Sequence, residues 1–219
     1  MSSEPVGATP QASSRFQRVI AVTPRPELTR SIKKLYLIGL QAGIGETGMA
    51  LKEIIAETQA NLRADAANAN AVFSVDSRQV ESLQSEAKIR QFSLTVDEPP
   101  NLGGSDAGPN PVELVLAALA TCQEITYRAY ATALGVPLES VSVRLDGVLD
   151  LRGFFAVDER VHPGFTGVQG TVTLKSSATK EELAKLKEVV DAHCPVLDIL
   201  RAPVPVELEL AAVPVAAAA

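Results

Sequence analysis

The stretch PVELVLAALATC at 111–122 is apolar on nearly every side when it is wound as a helix. A helix of this kind must be covered all round, which predicts a helix buried at the centre of a domain. The sequence contains residues typical of both ends of a helix. Asn110 is a preferred N-cap with Pro111 at the first helical position, and Gly135 is typical of the residue that follows a helix. The sequence therefore predicts a central helix over about 111–134.

Shorter patterns on both sides of this helix predict strands and further helices. They do not alternate regularly along the chain, which favours an α+β fold with antiparallel sheets over a doubly wound parallel sheet. Helices are predicted over about 46–69 and, from a capping box at Thr179 and Glu182, up to Cys194. The predicted strands are 85–96, 141–151, 168–174 and 204–210.

The strand predicted over 85–96 contains one irregularity. Its apolar positions are odd-numbered up to Ile89 and even-numbered from Phe92 onward. A strand has a period of two residues, so this change of parity predicts a bulge or bend near Arg90–Gln91.

Composition excludes several classes of function. The net charge is −6, only 4% of the residues are aromatic and there is no Trp, which argues against a nucleic-acid-binding surface. No uncharged run is long enough for a membrane span, and the start of the chain does not resemble a secretory signal. We therefore expect a cytoplasmic protein. Two cysteines without C-x-x-C spacing predict neither a zinc site nor a disulfide scaffold, and we expect no metal or cofactor.

The chain divides into three parts by composition. Residues 1–45 form an extension, predicted to be partly disordered or to act as an arm in self-association or partner binding; residues 1–43 carry six Arg and Lys against two Glu. An organellar transit peptide is the alternative reading of that extension. Residues 46–210 form the folded domain, and residues 211–219 an Ala-rich tail.

The two cysteines are the candidate chemical groups. Cys122 lies on the apolar helix, where a free cysteine often serves only as a small packing residue, and a reactive role would need a nearby cation because the thiolate is the nucleophile. Cys194 precedes Pro195, which cannot continue a helix but can begin one. Cys194 is therefore predicted to be the N-cap of a short second helix, either as a simple cap or as a thiol favoured by helix N–H groups.

The two histidines are weaker candidates. His193 is adjacent to Cys194, but neighbouring helical residues point about 100° apart, so the two side chains need not touch. Its spacing after Leu183, Leu186 and Val190 predicts a core or boundary position. His162 lies in a loop before Pro163 and is predicted to be at the surface.

GPNPVELVLAALATC, followed by HCPVLDIL about seventy residues later, resembles the OsmC/Ohr family of osmotically inducible and organic-hydroperoxide-resistance proteins. The resemblance covers roughly residues 69–210. It implies an α+β fold assembled as an intertwined homodimer, and a thiol peroxidase that reduces organic hydroperoxides. By position it implies that Cys122 attacks the peroxide, that Cys194 resolves the product as a disulfide, and that an external dithiol reduces this bond.

The sequence departs from the family pattern at the start of the helix that carries Cys122. Studied members have Glu directly after the Asn-Pro step; here Val112 holds that position and Glu113 follows, so Glu113 is the candidate acidic residue. The family also uses an early Arg to stabilise the thiolate. The loop 97–109 has none, which leaves Arg78 or Arg90 as candidates.

Two further functions fit the same sequence. One is a binding or redox-sensing module that holds an apolar ligand at a dimer interface. The other is a scaffold whose basic N-terminal arm docks the acidic body onto another assembly.

Overall fold

The computed structural model describes residues 47–202 and 204–212 of the chain, with side chains from residue 51 onward. The predicted basic extension and most of the predicted tail lie outside the described residues. The described part is an α+β fold with antiparallel sheets, as predicted from the sequence. None of its helices is long and apolar enough to cross a membrane.

The first helix, α1 (Thr47–Ala64), is shorter than the predicted 46–69. It ends before Asp65, whose side chain accepts a hydrogen bond from the Ala67 N–H at 2.9 Å and begins a separate 3₁₀ turn over Ala66–Ala69. An Asp that binds the backbone two residues ahead competes with continued α-helix. The helical pattern was therefore correct, but its C-terminal boundary was wrong by one turn.

Three strands form the first antiparallel sheet, in the order β1 (Asp76–Glu81), β2 (Gln84–Ile89) and β3 (Phe92–Val96). An irregularity does lie at Arg90–Gln91 as predicted, but it separates two strands and is not a bulge or bend within a single one. Ile89 pairs with Phe92, so Arg90 and Gln91 form a two-residue hairpin turn. Arg90 has a φ of 58°, the left-handed conformation that such turns require. Paired residues of a hairpin share one sheet face, which explains the change of parity between positions 89 and 92.

The loop after β3 is organised around one carboxylate. Asp97 is 2% exposed, and its oxygens accept hydrogen bonds from three backbone N–H groups and from the Ser105 hydroxyl, which lies at 2.6 Å. Together these bonds hold the loop over the start of the next helix.

The central helix, α2 (Pro111–Leu134), has the predicted bounds and caps. The Asn110 side chain accepts from the Glu113 N–H, and Gly135 follows with a φ of 71°. The expected burial on all sides is not met within one chain. Its buried residues follow one stripe, whereas other apolar positions such as Ile125, 70% exposed, face outward. The buried residues of α2 are Leu119, Gln123, Thr126, Tyr127 and Ala131.

Two long strands form the second sheet, β4 (Ser140–Leu149) and β5 (Phe165–Lys175), paired antiparallel with Val143 opposite Val172. The predicted strand to residue 151 ends two residues early. Asp150 accepts a hydrogen bond from the Arg152 N–H and begins a short helix, α3 (Leu151–Phe154).

Two consecutive helices cover the inner side of α2. They are α4 (Lys180–His193), which begins with the predicted capping box at Thr179, and α5 (Pro195–Arg201). The core lies where α2 meets α4, among Tyr127, Ala131, Leu186 and Val190. Apolar side chains of one helix that fit between those of another determine the angle at which the two helices pack.

The predicted last strand is absent from the described residues. Residues 204–212 have no regular secondary structure, and Leu208 and Leu210 are 92% and 97% exposed. Apolar residues do alternate there. A strand also needs a neighbouring strand with which to form hydrogen bonds, and the described residues provide none at this position.

Candidate active site

The two cysteine sulfurs lie together. The Sγ atoms of Cys122 and Cys194 are 3.3 Å apart and share a hydrogen bond, although 72 positions separate the residues in the chain. Both are free thiols; Cys194 is completely buried, whereas Cys122 is half-buried. Packing of α2 against α4 and α5 brings the two residues together.

Cys194 joins two helices with no residue between them. Its N–H donates to the Val190 oxygen at 2.9 Å, which ends α4, and its carbonyl accepts from the Asp198 N–H at 3.0 Å, which begins α5. Pro195 occupies the first helical position, where its missing N–H is not needed. The predicted role of Cys194 as an N-cap is confirmed in backbone geometry, while its side chain makes no cap hydrogen bond and points to Cys122 instead.

The surroundings of Cys122 favour the neutral thiol. Burial raises the pKa of Cys122, and the nearby Cys194 sulfur raises it further, because a thiolate there would be poorly solvated. A hydrogen bond from the Val196 backbone N–H has the opposite effect. The Thr126 hydroxyl also lowers the pKa, but it donates at 2.7 Å to the Cys122 carbonyl, so we regard Val196 as the main opposing donor.

The structure does not bring either candidate arginine to the sulfurs. Arg78 pairs with Glu86 across β1 and β2, at 2.7 Å, and Arg90 lies over the Phe92 ring. Among the groups in the described residues that shift the pKa of Cys122, none is a cation.

Glu113 is held at the start of α2. Its carboxylate accepts a hydrogen bond from the Asn110 N–H at 2.8 Å, completing a capping box. Glu113 and Cys122 are nine positions apart on the helix, which places them about 13 Å apart along the axis and on opposite sides of the helix. Within this chain the structure therefore does not bring Glu113 to the sulfur pair.

Neither histidine reaches a sulfur as a base. His193 is exposed, not turned inward as its spacing suggested; its ring contacts Tyr130, and Nδ1 lies 2.8 Å from the Val189 oxygen. His162 lies at the surface, as predicted, and accepts from the Gly164 N–H. In the described part of the chain, no cluster of His, Cys, Asp and Glu has the arrangement of a metal site.

The sequence comparison identifies a domain. A family model described as OsmC-like protein matches residues 103–209, which include both cysteines. The chain contains an OsmC-like domain. Protein YmaD of Bacillus subtilis is 26% identical over 119 residues, which are 52% of this chain and 75% of YmaD.

Solved structures agree with this assignment in fold. An OsmC-like protein from Mycoplasma pneumoniae matches with a TM-score of 0.54 and 18% identity, over 61% of this chain and 90% of that chain. An organic hydroperoxide resistance protein OsmC from Legionella pneumophila matches with a TM-score of 0.48 and 21% identity, over 60% and 92% of the two chains. The match to the Mycoplasma pneumoniae protein shows that this chain shares the OsmC-like fold at low sequence identity.

Two residues of the site were missed from the sequence of this OsmC-like domain. Thr126 is one helical turn after Cys122, so the i, i+4 spacing could have identified it. Val196 acts through its backbone N–H, which every residue except proline carries, so its side chain gives no signal. Its position two residues after the Cys194 N-cap could have suggested it, because the first N–H groups of a helix lack internal partners.

Proposed function

We propose that this protein is a thiol-dependent peroxidase that reduces organic hydroperoxides through Cys122 and Cys194. The observation that carries the proposal is the 3.3 Å separation of the two sulfurs. A sulfur oxidised at Cys122 would have a second thiol within contact distance. The OsmC-like domain, whose family includes proteins named for organic hydroperoxide resistance, supports the same chemistry.

In the first step, the Cys122 thiolate attacks one oxygen of the hydroperoxide and the O–O bond breaks. The attacked oxygen stays on sulfur as a sulfenic acid, and the other leaves as an alcohol after taking a proton. The Val196 N–H is the donor available to the sulfur when it carries negative charge. We assign Glu113 no part in this step within one chain, because its carboxylate caps the helix on the opposite side.

In the second step, the Cys194 sulfur displaces the oxygen of the sulfenic acid. A disulfide forms and one molecule of water leaves. An external dithiol then reduces the disulfide by exchange, which restores both thiols and oxidises the reductant. The cycle needs a compartment where such a dithiol is kept reduced, which fits the expected cytoplasmic location.

The half-buried position of Cys122 determines which peroxide would react best. The neighbours of Cys122 along α2 are largely apolar, and an alkyl group gains by leaving water whereas hydrogen peroxide does not. We therefore propose alkyl or lipid hydroperoxides as the substrate class. The raised pKa of Cys122 limits the rate, since only the thiolate attacks.

The deciding experiment counts free thiols after the reduced protein is mixed with a slight excess of alkyl hydroperoxide. We expect rapid loss of two thiols per chain and release of one alcohol. Cys122→Ser should abolish alcohol formation, while Cys194→Ser should leave one oxidised sulfur and no disulfide. Thiols that persist for many minutes at neutral pH would rule the peroxidase out.

A second function, a binding or redox-sensing module, is favoured by one observation. None of the main groups that shift the pKa of Cys122 in the described residues is a cation. A sensor needs only slow, reversible oxidation of the pair, without turnover. Turnover distinguishes the two functions, because only a peroxidase continues to consume hydroperoxide when a dithiol reductant is supplied.

We also propose that the protein works as a homodimer. Within one chain, α2 exposes apolar side chains at Val112, Val115 and Ile125, and residues 204–210 present a strand pattern without a neighbouring strand. A second copy is an occupant that would cover both. Light scattering coupled to gel filtration should give twice the chain mass; a monomer at micromolar concentration would contradict this.

A further inference from the structure

A groove of about 870 Å³ lies between the second sheet and helices α2, α4 and α5. Its floor is apolar and comes from both layers, for example Leu145 and Leu174 of the sheet and Leu183 of α4. Neither cysteine is among its lining residues. The volume falls within the range of about 300–1,000 Å³ typical of small-molecule sites. The groove is therefore distinct from the sulfur pair.

One polar side chain in the groove wall lacks a partner. Gln123 is 6% exposed, and its Nε2 is buried without a hydrogen bond to any described residue. Leu119 and Tyr127, one turn away on either side, line the same groove. A buried N–H donor is costly unless an acceptor meets it, and such exceptions in folded proteins call for an explanation. An acceptor oxygen on a ligand would supply the missing partner once the Gln123 side chain turns toward the groove.

The charged residues along the groove are mostly basic. Lys187 forms an ion pair with Asp191, which leaves Lys180 and Arg201 without an ion pair in the described part of the chain. Burial raises the pKa of Tyr127 to about 12, so its hydroxyl stays neutral and does not repel an anion. The groove thus combines an apolar floor, an unpaired donor and an excess of positive charge.

We propose that this groove binds a fatty-acid-type ligand, an unbranched acyl chain that ends in a carboxylate. The chain lies on the apolar floor, where burial of each methylene is favourable. A carboxylate can accept from the amide donor and is attracted by the basic side chains along the groove, whereas an alkane does neither and an alcohol lacks the charge. The site does not depend on the proposed thiol chemistry.

Titration calorimetry with the delipidated full chain tests this proposal, with dodecanoate as the probe and dodecanol as the uncharged probe of equal length. We expect one dodecanoate to bind per chain, at least about tenfold more tightly than dodecanol. Gln123→Leu removes the donor at similar volume, and the pair Lys180→Gln and Arg201→Gln removes the charges; each should weaken dodecanoate about tenfold. Lys185→Gln, on α4 but outside the groove lining, is the matched control.

A loss of ligand binding can be distinguished from a loss of folding and from a loss of peroxide reduction. Gln123→Leu should keep the wild-type circular dichroism and melt no lower, because it removes a buried unpaired donor. A chain with both cysteines replaced by Ser should still bind dodecanoate, even if peroxide reduction is lost or never present. Equal affinity for dodecanol, unchanged binding by both groove variants, or no binding at all would overturn the proposal. If dodecanoate does not bind and the groove residues are protected from hydrogen exchange in a dimer, the groove is instead an interface with a second copy.

Discussion

The Sγ atoms of Cys122 and Cys194 lie 3.3 Å apart, one in the middle of a helix and the other at the junction of two. A disulfide would bring them to about 2.05 Å, so each sulfur needs to move by less than about 1 Å. Side-chain rotation can supply such a movement. The pair is therefore placed for reversible oxidation without unfolding.

The first prediction concerns the connectivity of the oxidised protein. Mild oxidation should give one disulfide within the chain, with loss of two hydrogens in the intact mass and no covalent dimer on a non-reducing gel. The reason is that each sulfur already has the other as its neighbour. Cys194→Ser should instead give chains that progress to irreversible sulfinic or sulfonic acid under excess peroxide. A disulfide between chains in the wild type would contradict the assignment.

A second prediction is the pH dependence of the reaction. Burial holds the pKa of Cys122 above its usual value, so the fraction of thiolate rises with pH across the neutral range. We expect the rate with an alkyl hydroperoxide to increase about tenfold per pH unit between about pH 6 and 8. Stopped-flow measurement on Cys194→Ser isolates the first step. A rate that does not vary over this interval would mean that the thiolate is already formed at pH 6.

Asn110 and Glu113 give a third prediction, which separates capping from chemistry. Asn110→Ala should lower the free energy of unfolding by about 1 kcal/mol, since it removes the acceptor for the Glu113 N–H. Glu113→Gln retains a side chain that suits a capping box, so stability should change little. Because Glu113 points away from Cys122, its peroxide rate should stay within about twofold of wild type. A large rate loss in a fully folded Glu113→Gln protein would give Glu113 a chemical role.

The fourth prediction concerns acid stability. Hydrogen bonds, the Ser105 hydroxyl first, lower the pKa of Asp97 to about 2, below its value in an unfolded chain. The ionised carboxylate therefore stabilises the fold above about pH 4, and this contribution is lost as the pH falls from about 4 through about 2. Asp97→Asn should lower the melting temperature at neutral pH and weaken its dependence on pH in that interval. Asp106→Asn, in the same loop but exposed, should melt like the wild type across the whole range.

Features that depend on neighbouring residues were predictable from the sequence. The caps of α2 and the N-cap at Cys194 were assigned correctly because capping depends on a few adjacent residues and their dihedral angles. The hairpin at Arg90 was missed for a related reason. A left-handed turn residue is usually Gly, Asn or Asp, and an Arg in that conformation gives no signal.

Features that depend on distant contacts were not predictable from local pattern. Apolar and polar residues alternate over 204–210 with the two-residue period of a strand, but this pattern does not indicate whether a partner strand is present. The proximity of Cys122 and Cys194 depends on how α2 packs on α4 and α5, and only the family resemblance suggested it. Gln123 looked like an ordinary polar residue on a helix; its burial without a partner emerges only from the packed structure.

Cys194 ends one helix and begins the next, with no loop residue between them. The junction therefore accepts changes of residue type more easily than changes of length. One inserted residue after Cys194 would displace α5 relative to α4 and carry the Val196 N–H away from the Cys122 sulfur. We therefore expect relatives that use the sulfur pair to have no insertion or deletion at 193–196.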